Sequence, residues 1–157
     1  MAQSVYIHIP FCSRICPYCD FNKYVVKGQS VEDYLHGLQQ EMERTALQHR
    51  PEQIKTLFIG GGTPTTLTPK QMDFLLESVY QSFPTVSEGG EFTVEANPES
   101  MTEELLAVMK AGGVNRLSIG VQTFEPSLLK KLGRMHTPQE VYTGVELAQK
   151  IASPIFL

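Results

Sequence analysis

All three cysteines of the chain fall in one stretch, Phe11 to Phe21, "FCSRICPYCDF", with the spacing Cys-x3-Cys-x2-Cys. Thiolates grouped this closely suit a metal better than nucleophilic catalysis, which needs one thiol and a base. Zinc would close a tetrahedral site with a fourth ligand, for which His8, His36 and His49 are candidates. An iron–sulfur cluster usually takes four cysteines, so Cys12, Cys16 and Cys19 would leave one iron open to a small molecule. Spacing alone leaves both metals open.

Other residues that could do chemistry recur at regular intervals. "FIGGGTPT" sets Gly60, Gly61 and Gly62 at the end of an apolar run, where glycine permits special backbone angles and close approach of a ligand. The run is not a Walker loop, because no Gly-Lys-Ser/Thr follows, and it lacks the dinucleotide-binding glycine spacing. Glu95, ahead of Asn97-Pro98, could accept hydrogen bonds from an ammonium or hydroxyl group, or could pair in the core with Arg116 or Arg134. Gln122 offers a neutral amide, for a ligand or for a structural bond. His8 reads more simply as a core residue with satisfied hydrogen bonds than as a ligand. Tyr18, between the last two cysteines, would cover a ligand or close the loop.

These residues must be positioned by alternating strands and helices. Strand patterns cover Ser4–Ile9, Lys55–Ile59, Glu91–Ala96 and Arg116–Val121. Helical patterns cover 31–49, 69–82, 103–111 and 138–151, each with a start signal: Ser30 with Asp33, Thr68-Pro69 with Gln71, Thr102, and Thr137-Pro138 with Glu140. Four βα units in a row imply a parallel sheet.

Parity within the strands separates two faces. Val5, Ile7, Ile9, Leu57, Ile59, Phe92, Val94, Ala96, Leu117, Ile119 and Val121 form an apolar face. Tyr6, His8, Phe58, Gly60, Thr93, Glu95, Ser118, Gly120 and Gln122 form a polar or small one. A sheet with helices on both sides would be apolar on both, whereas a barrel around a polar cavity shows this asymmetry. The expected fold is therefore α/β: about four βα units forming the N-terminal part of a (βα) barrel, with a complete four-stranded domain as the alternative. A full barrel needs about eight strands. The expectation is a truncated half-barrel over 1–150 with an open edge and an atypical tail, 151–157, "IASPIFL", whose Pro154 suits a central strand poorly.

The chain has 157 residues, a formal net charge of -4 and a pI near 5.6, with its thirteen Lys and Arg scattered. That pattern carries no footprint for nucleic acid or an anionic membrane, and no apolar run approaches the ~18 residues of a membrane span. An odd number of cysteines and no signal pattern point to the cytoplasm, with the thiols reduced.

Taken together, "CSRICPYC", with an aromatic before the last cysteine, resembles the signature of the radical S-adenosylmethionine (SAM) proteins. "VYIHIPFC", "FIGGGTPT", "VEANP", "LSIGVQTF" and "RMHT" are similar to the oxygen-independent coproporphyrinogen III oxidase group, over residues 4–150. The resemblance implies a [4Fe–4S] cluster on Cys12, Cys16 and Cys19, with SAM chelating the fourth iron. It also implies a SAM site lined by Tyr6, Tyr18, Gly61, Gly62, Thr63, Glu95, Gln122 and Arg134, and a 5′-deoxyadenosyl radical that abstracts hydrogen from a substrate. In the oxidases the motif continues to a further cysteine, where this chain has Phe21. Phe21 resembles the branch of heme chaperones, HemW, which bind heme as cargo and deliver it to a recipient hemoprotein, with an electron donor as a further partner. Two alternatives stand beside that branch: an oxidase that decarboxylates coproporphyrinogen III, and an inactive fragment.

Overall fold

The computed structural model describes residues 3–151; of the expected tail, residues 152–157 lie outside the described residues. The core is a four-stranded parallel sheet of β1 (Ser4–Ile9), β4 (Ile54–Gly61), β5 (Val86–Ala96) and β6 (Arg116–Ile119), in that spatial order. A two-stranded parallel ribbon joins β2 (Phe11–Cys12) to β3 (Tyr24–Val25) beside it. The helices are α1 (Val31–His49), α2 (Pro69–Ser82), α3 (Glu103–Ala111), α4 (Pro126–Lys131) and α5 (Pro138–Ile151), with 3-10 turns at Pro64–Thr66 and Pro98–Ser100.

Register turns the apolar parity into packed layers. Val5 lies beside Leu57 and Phe92, and Ile7 beside Ile59, Val94 and Leu117. Helical stripes cover this face: Val31, Leu35 and Met42 from α1, Met72, Leu75, Leu76 and Val79 from α2, Leu105, Leu106 and Met109 from α3. Each such side chain, fully buried, contributes about 1.5–3 kcal/mol. The opposite face stays polar: Tyr6 is exposed, and His8, Phe58, Glu95 and Ser118 are half-buried. The sheet is thus one wall of a barrel, with β1 and β6 each paired on one side only.

Three helix starts follow their signals. Thr68 and Gln71 form a reciprocal capping box, the Thr102 hydroxyl accepts from Leu105 N–H, and Thr137 and Glu140 bond each other's backbone amides. Ser30 departs from expectation: its hydroxyl donates to Asp33 Oδ2 at 2.5 Å and caps no backbone amide.

Three strands have other bounds than their patterns predict: β4 runs Ile54–Gly61, beginning before Lys55 and ending after Ile59. β5 begins at Val86, with a register shift between Ile54 and Thr56, and Asn115 clamps the irregular stretch by donating to Gly90 O and accepting from Phe92 N–H. β6 ends at Ile119 rather than Val121, so Gln122 does not stand on a strand; it lies in the turn beyond, at φ 64°. No helix among the described residues is long and apolar enough to cross a membrane.

Candidate functional site

The cysteine loop leaves the top of β1 and is held from two sides. On one side Tyr24 N–H donates to Pro10 O and Val26 N–H to Cys12 O; on the other Gly62 N–H donates to Ile9 O and Thr63 N–H to Phe11 O. The buried Phe11 ring meets Tyr34 edge-on at 5.2 Å, and the Tyr34 hydroxyl donates to His8 O at 2.6 Å. Within the loop, Cys19 N–H closes a turn onto Cys16 O, and Lys23 Nζ donates to the carbonyls of Cys19 and Phe21.

All three thiols are free. Cys12 is buried, which pushes its thiol pKa up; the Thr63 hydroxyl, 3.7 Å from its sulfur, pulls the other way. Cys16 Sγ lies 3.8 Å from Arg134 Nη1. The loop, the Gly-rich strand end and the ends of β5 and β6 enclose a cleft of about 340 Å³, in the range of small-molecule pockets. Cys12, Cys16, Cys19, Tyr18, Gly61, Gly62, Thr63, Glu95, Gln122 and Arg134 all line it.

Tyr6 is the one expected residue that does not line this cleft. It shares the inner face, in register with Phe58, on which its ring stacks at 6.0 Å, and stands one inner-face residue below His8. Its hydroxyl donates to His8 Nδ1 at 2.9 Å, and burial, followed by the Glu95 charge, raises its pKa. His8 Nε2 lies 2.9 Å from Asn22 O, which can only accept, so Nε2 carries the proton and both ring nitrogens are satisfied.

The glycines serve packing of the chain against itself. Gly61 stands at φ 117°, and a Cβ there would lie 2.5 Å from the His8 ring; a Cβ on Gly62 would lie 2.6 Å from Phe11 O. The Cβ directions of both glycines are thus taken by β1 and the cysteine loop, while their backbone still lines the cleft. Glu95 pairs with neither Arg116 nor Arg134. Its Oε2 accepts from Gly61 N–H at 2.9 Å, while Arg116 bonds Glu91 and Arg134 Nη2 donates to Asn97 Oδ1 and Gly120 O. A carboxylate has about four acceptor positions, so Glu95 keeps capacity beside the cleft.

Asn97 is a cleft residue beyond the strand to which parity was applied: it lines the cleft and donates to Thr63 Oγ1 at 3.2 Å. Its place directly after β5, in "VEANP", is the signal that could have found it. Arg14, inside the cysteine motif, and Lys23, just beyond it, line the cleft too.

The donor set fits a cluster better than zinc. No histidine lines the cleft, and among the described residues no three His, Cys, Asp or Glu side chains are gathered as one metal ion needs. A cluster distributes its thiolates over separate irons. Arg134 Nε is buried without a hydrogen-bond partner among the described residues, and the Glu95 carboxylate has spare acceptors; together they suit a ligand carrying both carboxylate and ammonium groups, as SAM does.

A family model of the radical SAM superfamily matches residues 6–156. The chain is 49% identical over 149 residues to the heme chaperone HemW of Bacillus subtilis, covering 95% of this chain and 39% of that protein. It is 41% identical over 152 residues to the oxygen-independent coproporphyrinogen-III oxidase-like protein HemZ of the same species, covering 94% and 30%. It is similar to the solved structure of coproporphyrinogen III oxidase (HemN) from Escherichia coli, a radical SAM enzyme, with a TM-score of 0.87 and 30% identity, over 97% of this chain and 35% of that one. The chain therefore spans less than two fifths of the length of these relatives. With the family model covering nearly its whole length and the three cysteines rimming one cleft, this chain belongs to the radical SAM superfamily.

Proposed function

We propose that residues 1–150 form the cluster- and SAM-binding part of a heme chaperone of the HemW type, acting in the cytoplasm. Cys12, Cys16 and Cys19 hold a [4Fe–4S] cluster. Glu95 accepts from the ammonium of SAM, Arg134 and Gln122 meet its carboxylate and polar edges, and Gly61, Gly62 and Thr63 form the floor under it. When bound, the pair supplies reductive cleavage of a sulfonium and hydrogen-atom abstraction. The protein's share is to hold the thiolates, neutralise them with Arg134 and Lys23, and keep water from the cleft.

The observation that carries the chaperone reading is Phe21. It takes the position where the oxidases continue to a further cysteine, and its ring lies at the cleft mouth, 66% exposed. An aromatic there offers a flat apolar surface to a porphyrin and supplies no fourth thiol. The higher identity to HemW than to the oxidase-like relative supports the same reading. Heme is the cargo and a hemoprotein its recipient.

The oxidase remains the second reading because of the close fold match to HemN. Anaerobic incubation of the reconstituted protein with heme, and separately with coproporphyrinogen III and SAM, separates the two. Heme binding with no loss of propionate carboxyls supports the chaperone; vinyl formation from coproporphyrinogen III refutes it.

A further inference from the structure

The "RMHT" segment makes two parallel ties across the end of the sheet. Arg134 Nη2 joins Asn97 Oδ1 (2.7 Å) to Gly120 O (2.6 Å). Two residues on, His136 Nε2 reaches Val121 O at 3.1 Å, and its Nδ1 lies 3.4 Å from Glu99 Oε2 without an aligned hydrogen bond. Alternate residues of 97–99 and 134–136 thus clasp the consecutive carbonyls of 120 and 121, while Met135 between them points outward, 60% exposed. The His136 side chain has no exposed surface and does not line the cleft. A carbonyl only accepts, so Nε2 carries the proton.

The clasped segment is the one that breaks the strand pattern. Val121 N–H donates to Ile119 O and Thr123 N–H to Val121 O, two tight reversals with Gln122 between them at φ 64°, a conformation that side-chain-bearing residues seldom adopt. The Gln122 amide is held over Gly120, where a Cβ would stand 3.0 Å from Asn97 Oδ1 and 3.3 Å from both Arg134 Nη2 and Gln122 Nε2. Two bonds within residues 119–123 close this turn, and a third, to Val121 O, comes from fifteen residues further along the chain.

We propose that His136 is a positioning residue: its Nε2–H bond to the Val121 carbonyl, with Glu99 behind the ring, holds Gln122 in the left-handed turn that gives its amide to the cleft. The effect on ligand binding rests on the reading of the cleft as the SAM site. His136 acts only through the backbone, so its donor matters and its charge does not.

The test uses the full chain, reconstituted anaerobically, with SAM affinity measured by equilibrium dialysis and iron content measured alongside. His136→Phe removes the donor at similar bulk and is expected to weaken SAM about tenfold with iron unchanged; His136→Gln keeps an N–H and stays within about threefold of the parent. In the Gln122→Gly background, His136→Phe adds no further loss. Parent-like affinity of His136→Phe, a His136→Gln as weak as His136→Phe, or additive losses in the double variant would overturn the proposal. If His136→Phe does not fold, His136→Asn, whose shorter amide cannot reach Val121 O, is expected in the SAM-free protein to speed amide exchange of residues 121–123 at least about threefold; unchanged exchange overturns the clasp. A parent that fails to bind SAM refutes the reading of the cleft instead, and the exchange measurement still decides the clasp.

Discussion

Glu91 and Glu95 stand on the same face of the same strand, four residues apart, with Thr93 between them. At the lower end Glu91 is consumed by its neighbours: Arg116 Nη1 lies 3.0 Å from Oε1, and the Thr93 hydroxyl donates to the same oxygen at 2.7 Å. At the upper end Glu95 meets one backbone N–H, that of Gly61. The arginines differ in the same way. Arg116 makes a half-exposed ion pair, whereas Arg134 spreads its guanidinium over an amide, a carbonyl and a thiol and leaves a buried N–H unused. The same residue types therefore close the sheet at one end and leave unfilled bonding capacity at the other. That surplus gathers where the cysteines lie, at the C-terminal ends of the strands, where (βα) barrels keep their sites.

Four substitutions sharpen the contrast. Cys16→Ser, at the upper end, is expected to abolish the cluster; iron and sulfide analysis checks this, and parent-like content would break the ligand assignment. Glu95→Gln keeps an acceptor for Gly61 N–H but removes the charge, and is expected to weaken SAM more than about tenfold, while Glu91→Gln leaves SAM affinity alone. Equal effects of the two in a binding titration would erase the distinction between the ends. Gly62→Ala pushes a methyl toward Phe11 O, a backbone atom that cannot swing aside, and is expected to cost about 1–3 kcal/mol in urea unfolding of the metal-free chain.

Glu91→Gln has the smallest effect. An ion pair this exposed is worth about 0.5 kcal/mol. The Thr93 hydroxyl and then Arg116 hold the Glu91 carboxyl below its ordinary 4.5, so the contribution is present above that pH and is lost as acidification carries the folded protein through its lowered pKa. The difference between parent and Glu91→Gln in urea unfolding should therefore shrink as pH falls through and below 4.5 and stay constant at neutral pH.

Periodicity carried the helices and the wall of the barrel because each rests on local signals: caps, Pro at the first turn, and alternation that one register satisfies. It failed where distant residues override the local pattern. Ile119-Gly120-Val121 alternates well enough to extend β6, yet Arg134 and His136 take the carbonyls of Gly120 and Val121 and bend the chain there. The pattern starts β5 at Glu91, but the strand begins at Val86, with Asn115 bonded to Gly90 and Phe92 across the irregular stretch. Helix α4 is only six residues, too short for a period, although Glu125 and Pro126 form a legible start. For the site, parity put Glu95 and Tyr6 on the inner face, where the structure has them, and it gives direction and not level along the barrel. The glycines were legible as special positions, and only coordinates reveal that His8 and Phe11 fill the space beside them.

The proposed function turns on an open-iron site built by these residues. Its most direct test is anaerobic iron–sulfide reconstitution followed by electron paramagnetic resonance of the reduced protein with and without SAM. About four irons per chain and a spectrum altered by SAM are the predicted result. Zinc or no stable metal after reconstitution, or a cluster whose spectrum ignores SAM, would contradict it.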